Sequence, residues 1–102
     1  MITLTAYNFE EVAMRNDEIP VLIDFWAPWC LPCQTFQAIL DELAEELAGK
    51  AIIGKVNVEE EPLLADAVRI QAIPTLLLLR NGHLEDVIVG VMPKEQIKQK
   101  LA

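Results

Sequence analysis

Between residues 33 and 48 the apolar side chains fall at Phe36, Ile39, Leu40, Leu43, Ala44 and Leu47, a spacing that an α-helix gathers into one stripe. Asp41, Glu42, Glu45 and Glu46 take the opposite face. Ahead of this helix, residues 21–27 form an apolar run broken only by Asp24, short enough to be a strand buried on both faces. A strand that needs cover on both sides, followed by a helix with one apolar side, commits the chain to a sheet with helices packed on it.

The remaining segments continue the alternation. Residues 2–5 are weakly strand-like, and 8–15 carry Phe9, Val12 and Ala13 at helical spacing with Asn8 as the expected N-cap. Gly49 and Lys50 are expected to close the long helix. Residues 51–58 read as a strand, 62–69 as a short helix with Pro62 in its first turn, and 75–80 as another buried strand. Asn81-Gly82 is a hairpin signal joining that strand to one over 86–91, and 93–101 ends the chain as a helix. The order βαβαβαββα combines parallel crossovers with one antiparallel hairpin. The expected fold is therefore α/β, a three-layer α/β/α sandwich around a central mixed five-stranded sheet, in one domain over residues 1–102.

Eight basic residues against sixteen acidic ones give a net charge of −8, which repels phosphate backbones and anionic lipid. Neither nucleic acid nor a membrane is an expected partner. The first twelve residues lack the basic-then-apolar order of a secretory leader, so the expected address is cytoplasmic.

The only two cysteines, Cys30 and Cys33, lie three apart in WAPWCLPC, an eight-residue stretch without a charge. Where ordinary thiols stay reduced, such a pair is not a structural scaffold. A zinc site needs four soft ligands, and the chain adds only His83, expected as an exposed turn residue. Haem attachment needs a histidine directly after the second cysteine, where Gln34 stands. A helix starting near Cys30 brings Cys33 one turn on, within disulfide reach. Its free N–H groups and dipole favour a negative Cys30, lowering that thiol below the usual value of about 8.5. Cys33, further into the helix and less exposed, can attack a mixed disulfide formed at Cys30. Pro32 fits the first turn, where a missing N–H costs nothing. Asp24, desolvated within its strand, is expected to have a pKa raised toward the range useful for proton transfer.

The stretches VLIDFWAPWCLPC (21–33), ILDELAEEL (39–47), KVNVEEEP (55–62), IPTLLLLRNG (73–82) and VG (89–90) together resemble the thioredoxin family, nearly end to end. The resemblance implies the thioredoxin fold and a thiol-disulfide oxidoreductase, a general dithiol reductase of protein disulfides. It implies Cys30 as the attacking and Cys33 as the resolving thiol, forming the redox disulfide, with Asp24 assisting proton transfer at Cys33 and Lys55 near that acid. Pro74 matches the family's cis-proline, beside a backbone edge at Ile73 that pairs with an extended substrate. Trp29, Leu31, Pro32, Ile73, Pro74 and Gly90 are implied as an apolar contact surface, and Trp26 as core packing. No bound cofactor or metal is implied. Electrons are expected from a thioredoxin reductase, dependent on NADPH or ferredoxin, and the other partners are disulfide-containing proteins; a monomer is expected. Leu31 and Ala72 replace family glycines, and Ala38 a proline that kinks the long helix. The competing readings are a more oxidising disulfide oxidase or isomerase, and a thioredoxin-fold binding subunit with incidental thiols.

Overall fold

Nine elements follow one another as the apolar pattern dictates: β1 (Ile2–Thr3), α1 (Phe9–Ala13), β2 (Val21–Trp26), α2 (Leu31–Glu46), β3 (Ile52–Asn57), α3 (Pro62–Ala67), β4 (Thr75–Arg80), β5 (His83–Val89) and α4 (Lys94–Leu101). The computed structural model describes residues 1–102. Its sheet has the strand order β1-β3-β2-β4-β5, with β1 and β2 parallel to β3 and both the β2–β4 and β4–β5 pairs antiparallel. This is the mixed five-stranded sheet of the expected α/β sandwich.

Alternation along the strands sorts the core into two layers. Leu22, Ile53, Leu76, Leu78 and Ile88 point to one side and pack with Phe36, Leu40 and Leu43 of α2 and Ile97 of α4. Val21, Ile23, Phe25, Val56, Leu77 and Leu79 point to the other, beneath Ala13 of α1 with Leu64 of α3 at the margin. By the same alternation Asp24 and Trp26 lie on the α2 side, in step with Leu22. Lys94 pairs with Glu42 at 3.4 Å and with Glu46, and Lys98 with Glu46 at 3.5 Å, tying α4 across α2.

Several boundaries differ from the sequence expectation, each for a local reason. The strand expected over 86–91 is β5 and starts at His83, because Asn81 (φ 54°) and Gly82 (φ 77°) form a two-residue turn that returns the chain directly to pair His83 with Arg80. His83 is thus an exposed strand residue. A bulge opposite Leu78 and Leu79 interrupts the alternation that would otherwise reveal the strand's first half. The strand expected over 2–5 is reduced to two residues, although Leu4 is fully buried. Asn8 does precede α1, but its side chain accepts from the Thr5 N–H at 2.7 Å instead of capping the helix. Helix α2 ends at Glu46, and Gly49 (φ 82°) turns the chain beyond it.

Helix α3 stops at Ala67 in a paired-bond termination. The Arg69 N–H reaches the Asp66 carbonyl at 3.0 Å and the Ile70 N–H reaches the Ala65 carbonyl at 3.0 Å. This Schellman geometry requires a left-handed residue after the cap, a place usually taken by glycine; here it is Arg69, with φ 60°.

Candidate active site

The long helix begins where the central strand ends. After Trp26 the chain passes Ala27, Pro28 and Trp29 in a turn closed by the Cys30 N–H on the Ala27 carbonyl at 3.1 Å. Gln34 braces this turn by donating Nε2 to the Pro28 carbonyl at 2.7 Å. Cys30, extended at φ −90° and ψ 105°, is the N-cap of α2. Its Sγ accepts the N–H of Cys33 at 3.2 Å, doing the work that a serine or aspartate oxygen does at other helix starts. Pro32 occupies the first turn, where no N–H is needed, and is exposed.

Cys30 and Cys33 are joined in a disulfide, with Cα atoms 5.3 Å apart. Cys33 is wholly buried and Cys30 is 6% exposed. The Cys33 N–H and the positive end of the helix dipole both meet Cys30 Sγ, an arrangement that favours negative charge on that sulfur over its partner.

Around this pair lies an apolar surface. Trp29 is 64% and Leu31 73% exposed, flanking Cys30 on either side in sequence. Ile73 packs partly against the Ala27, Cys30 and Cys33 cluster, and the Ile73–Pro74 peptide bond is cis. Pro74 itself is buried. Its carbonyl accepts the Gly90 N–H at 2.8 Å, where Gly90 adopts φ 92°. Thr75 Oγ1 donates to the Ala72 carbonyl at 2.6 Å and fixes the same loop from the other side. Trp29, Val58, Ala65, Ile70, Gln71, Ala72 and Ile73 wall an open groove of ≈ 430 Å³ beside the disulfide.

Within β2, Asp24 is fully buried and neither carboxylate oxygen has a hydrogen-bond partner. Burial pushes its pKa up to about 7, against the opposing pull of Lys55. Asp24 sits on the sheet face covered by α2, the helix that Cys33 enters, and can hold or release a proton near neutral pH. Lys55 is the register partner of Asp24, but its ammonium lies over the Trp26 ring, 5.5 Å from the centroid, and forms no ion pair with the acid. Trp26 is half-buried, with its indole N–H unpartnered. Ala38 leaves α2 unbroken from Leu31 to Glu46.

Sequence reasoning missed Glu59. Its Oε1 accepts the indole N–H of Trp29 at 2.6 Å across thirty residues of chain, anchoring the exposed ring. Nothing in NVEEEP distinguishes it from Glu60 and Glu61. Glu61 instead accepts the Ala6 N–H at 2.8 Å. Val58, Ala65 and Ile70 were equally hidden, because residues just after β3 and in and after α3 become groove walls only once the sheet is assembled.

The family model described as Thioredoxin matches residues 1–102. Among curated relatives, the chain is 47% identical to the thioredoxin of Haemophilus influenzae over 90 residues, 88% of this chain and 83% of that protein. It is 40% identical to thioredoxin 1 of Nostoc sp. over 98 residues, 96% of this chain and 91% of the other. The chloroplastic M-type thioredoxin of Pisum sativum is 46% identical over 94 residues, 92% of this chain and 54% of the plant protein.

Proposed function

The chain belongs to the thioredoxin family and is a thiol-disulfide oxidoreductase, and we propose that it works as a general dithiol reductase of protein disulfides. The observation that carries this reading is the Cys30 sulfur at the N-cap of α2, receiving the Cys33 N–H with its partner sulfur buried behind it. In the reduced protein, the Cys30 thiolate attacks one sulfur of a substrate disulfide, and the other substrate sulfur leaves as a thiolate that takes up a proton. A mixed disulfide remains at Cys30. Asp24, ionised, removes the proton from Cys33, whose thiolate attacks Cys30 Sγ. The second substrate sulfur departs and the Cys30–Cys33 disulfide forms, so two electrons have passed from the dithiol to the substrate.

Trp29, Leu31, Pro32 and Ile73 receive the substrate segment, with Gly90 and the Pro74 backbone shaping the edge along which it extends. Lys55 bears on Asp24 only through its charge, which favours the ionised acid. The protein carries electrons without a cofactor of its own; a thioredoxin reductase returns the disulfide to the dithiol. A cytoplasmic site of action accords with this reading, since such a dithiol operates where ordinary thiols stay reduced.

Two measurements test the proposal together. With dithiothreitol as reductant, wild type should accelerate reduction of a protein disulfide, Cys30→Ser should abolish the acceleration, and Cys33→Ser should accumulate a covalent adduct with the substrate. The reduction potential of the pair should fall well below about −180 mV, the value typical of a disulfide isomerase. A potential at or above that value would assign the protein to disulfide formation or isomerisation instead. A partner that binds the double Cys→Ser variant as tightly as wild type, with no reduction by either, would assign it to the binding-subunit role.

A further inference from the structure

The groove beside Trp29 does not end at Ala72. Ile70, Gln71 and Ala72 wall it on one side and on the other border a second, larger groove of ≈ 810 Å³ between the end of α3 and the outer strand β5. The floor of this second groove is apolar. Leu84, Val87 and Val89 of β5 lie opposite Leu79, Leu77 and Thr75 on the α1/α3 side of the sheet, yet they remain 56%, 49% and 66% exposed. The face is covered over β2 and β4 and left open over β5.

A single charged residue lines the groove, Arg69. It is exposed and forms no ion pair, as Lys50 and Lys55 form none, whereas Arg15, Arg80, Lys94, Lys98 and Lys100 are matched with carboxylates. In a chain with a net charge of −8, Arg69 is the one arginine of three without a carboxylate partner, and the one charged side chain that lines this groove. It also occupies the left-handed position after α3 that glycine adopts without strain. Folding alone therefore gives no reason for arginine there.

We propose that the second groove is a docking surface for the disulfide-bearing protein partner, with Arg69 anchoring a carboxylate set among apolar residues in the segment that flanks the partner's disulfide. The inference rests on the reductase reading and names the kind of substrate it favours. Continuity of the two grooves places the flanking segment there once a disulfide is seated at Cys30. The apolar floor receives its Leu- or Val-like side chains. The planar guanidinium fork fits a carboxylate, and the groove offers a carboxylate no competing charge.

The test uses the pre-reduced protein and cyclic disulfide peptides identical except for a tail, Leu-Glu-Val or Leu-Gln-Val, attached at each end in turn, with hydroxyethyl disulfide as a small neutral control. At low salt, the acidic tail on one end should be reduced about 3- to 5-fold faster at limiting peptide, the advantage of a partly exposed charge pair. Arg69→Gly should erase that advantage, Arg69→Glu should reverse it, and Arg69→Lys should keep part of it. High salt should flatten it in wild type. Hydroxyethyl disulfide should be reduced equally by all four proteins, which also shows that each variant is folded. Equal rates for the two tails in wild type, or a preference that survives Arg69→Gly, would overturn the docking proposal. Wild type that reduces neither peptides nor hydroxyethyl disulfide would instead overturn the reductase reading.

Discussion

Asp24 and Lys55 stand side by side in the parallel β2–β3 pair without forming an ion pair. The lysine ammonium lies over Trp26, and both oxygens of the acid are buried with no hydrogen-bond partner. Burial of a carboxylate without a partner disfavours its charged form, so Asp24 titrates at about 7 where an ordinary aspartate titrates near 3.8. The group whose ionisation the fold resists lies on the sheet face covered by α2, the helix that carries Cys33.

This makes stability depend on pH with a definite sign. Between pH 4 and 7 the folded protein holds a proton on Asp24 that the unfolded chain has released, so stability falls as pH rises through this window and levels off above it. The full penalty above pH 7 is on the order of 4 kcal/mol. Asp24→Asn cannot ionise, so its stability relative to wild type should grow by about 2–3 kcal/mol between pH 5 and pH 8, as read from urea unfolding of the oxidised proteins. A gap that stays constant with pH would show that Asp24 does not carry this penalty. The same variant should slow release from the Cys30 mixed disulfide more than it slows the first attack; unchanged release kinetics would remove Asp24 from the proton-transfer role.

A second prediction concerns the sheet edge. A Cβ added at Gly54 would stand 2.8 Å from Leu4 Cδ1 and 3.2 Å from the Ile2 carbonyl oxygen. Leu4 is fully buried, so it has no room to withdraw. Gly54→Ala should therefore displace β1 and destabilise the protein by about 1–3 kcal/mol, seen as a lower urea midpoint with little change in slope. An unchanged midpoint would mean that Leu4 repacks freely and β1 contributes little.

The chain showed its architecture where periodicity was strong and hid it where geometry arises from assembly. Phe36, Leu40 and Leu43 identify α2, and the apolar runs around Ile23 and Leu77 identify β2 and β4, because burial on these faces demands those residues in that rhythm. The first half of β5 was not legible, since His83, Leu84 and Glu85 are all exposed and a bulge breaks their alternation. At the site, Cys30, Cys33 and Asp24 announce themselves by type and neighbourhood. Glu59 and Arg69 do not, because an acid among three acids and a cation after a short helix carry no local pattern; only the fold brings one to Trp29 and the other to the groove.

The Trp29–Glu59 hydrogen bond should matter more to substrate than to stability. Both groups are exposed, so the bond contributes about 1 kcal/mol or less to folding, but it fixes the ring that walls the groove beside the disulfide. Glu59→Ala should raise KM for a protein disulfide about 3- to 5-fold, consistent with a loss near 1 kcal/mol. It should leave kcat within about 2-fold and alter the tryptophan emission of the reduced protein. Glu59→Gln, which keeps an acceptor, should recover most of the KM. A KM unaffected by either change would mean that the ring holds its place without the carboxylate.

Leu31 bears on both binding and redox poise, and the two effects separate experimentally. It stands at the first position of α2 between the two sulfurs and is 73% exposed, so a docked segment can cover most of its side chain. Burying three to four carbons at about 0.8 kcal/mol each, discounted for partial cover, predicts that Leu31→Gly raises KM for protein disulfides about 5- to 10-fold. Glycine at this position also loosens the helix start by about 1 kcal/mol, and with it the N–H of Cys33 that stabilises the Cys30 thiolate. The Cys30 pKa should then rise and the reduction potential of the pair should shift with it. Thiol absorbance against pH and equilibration with glutathione measure the two quantities independently. Equal potentials and equal KM values in wild type and Leu31→Gly would show that leucine between the cysteines acts on neither.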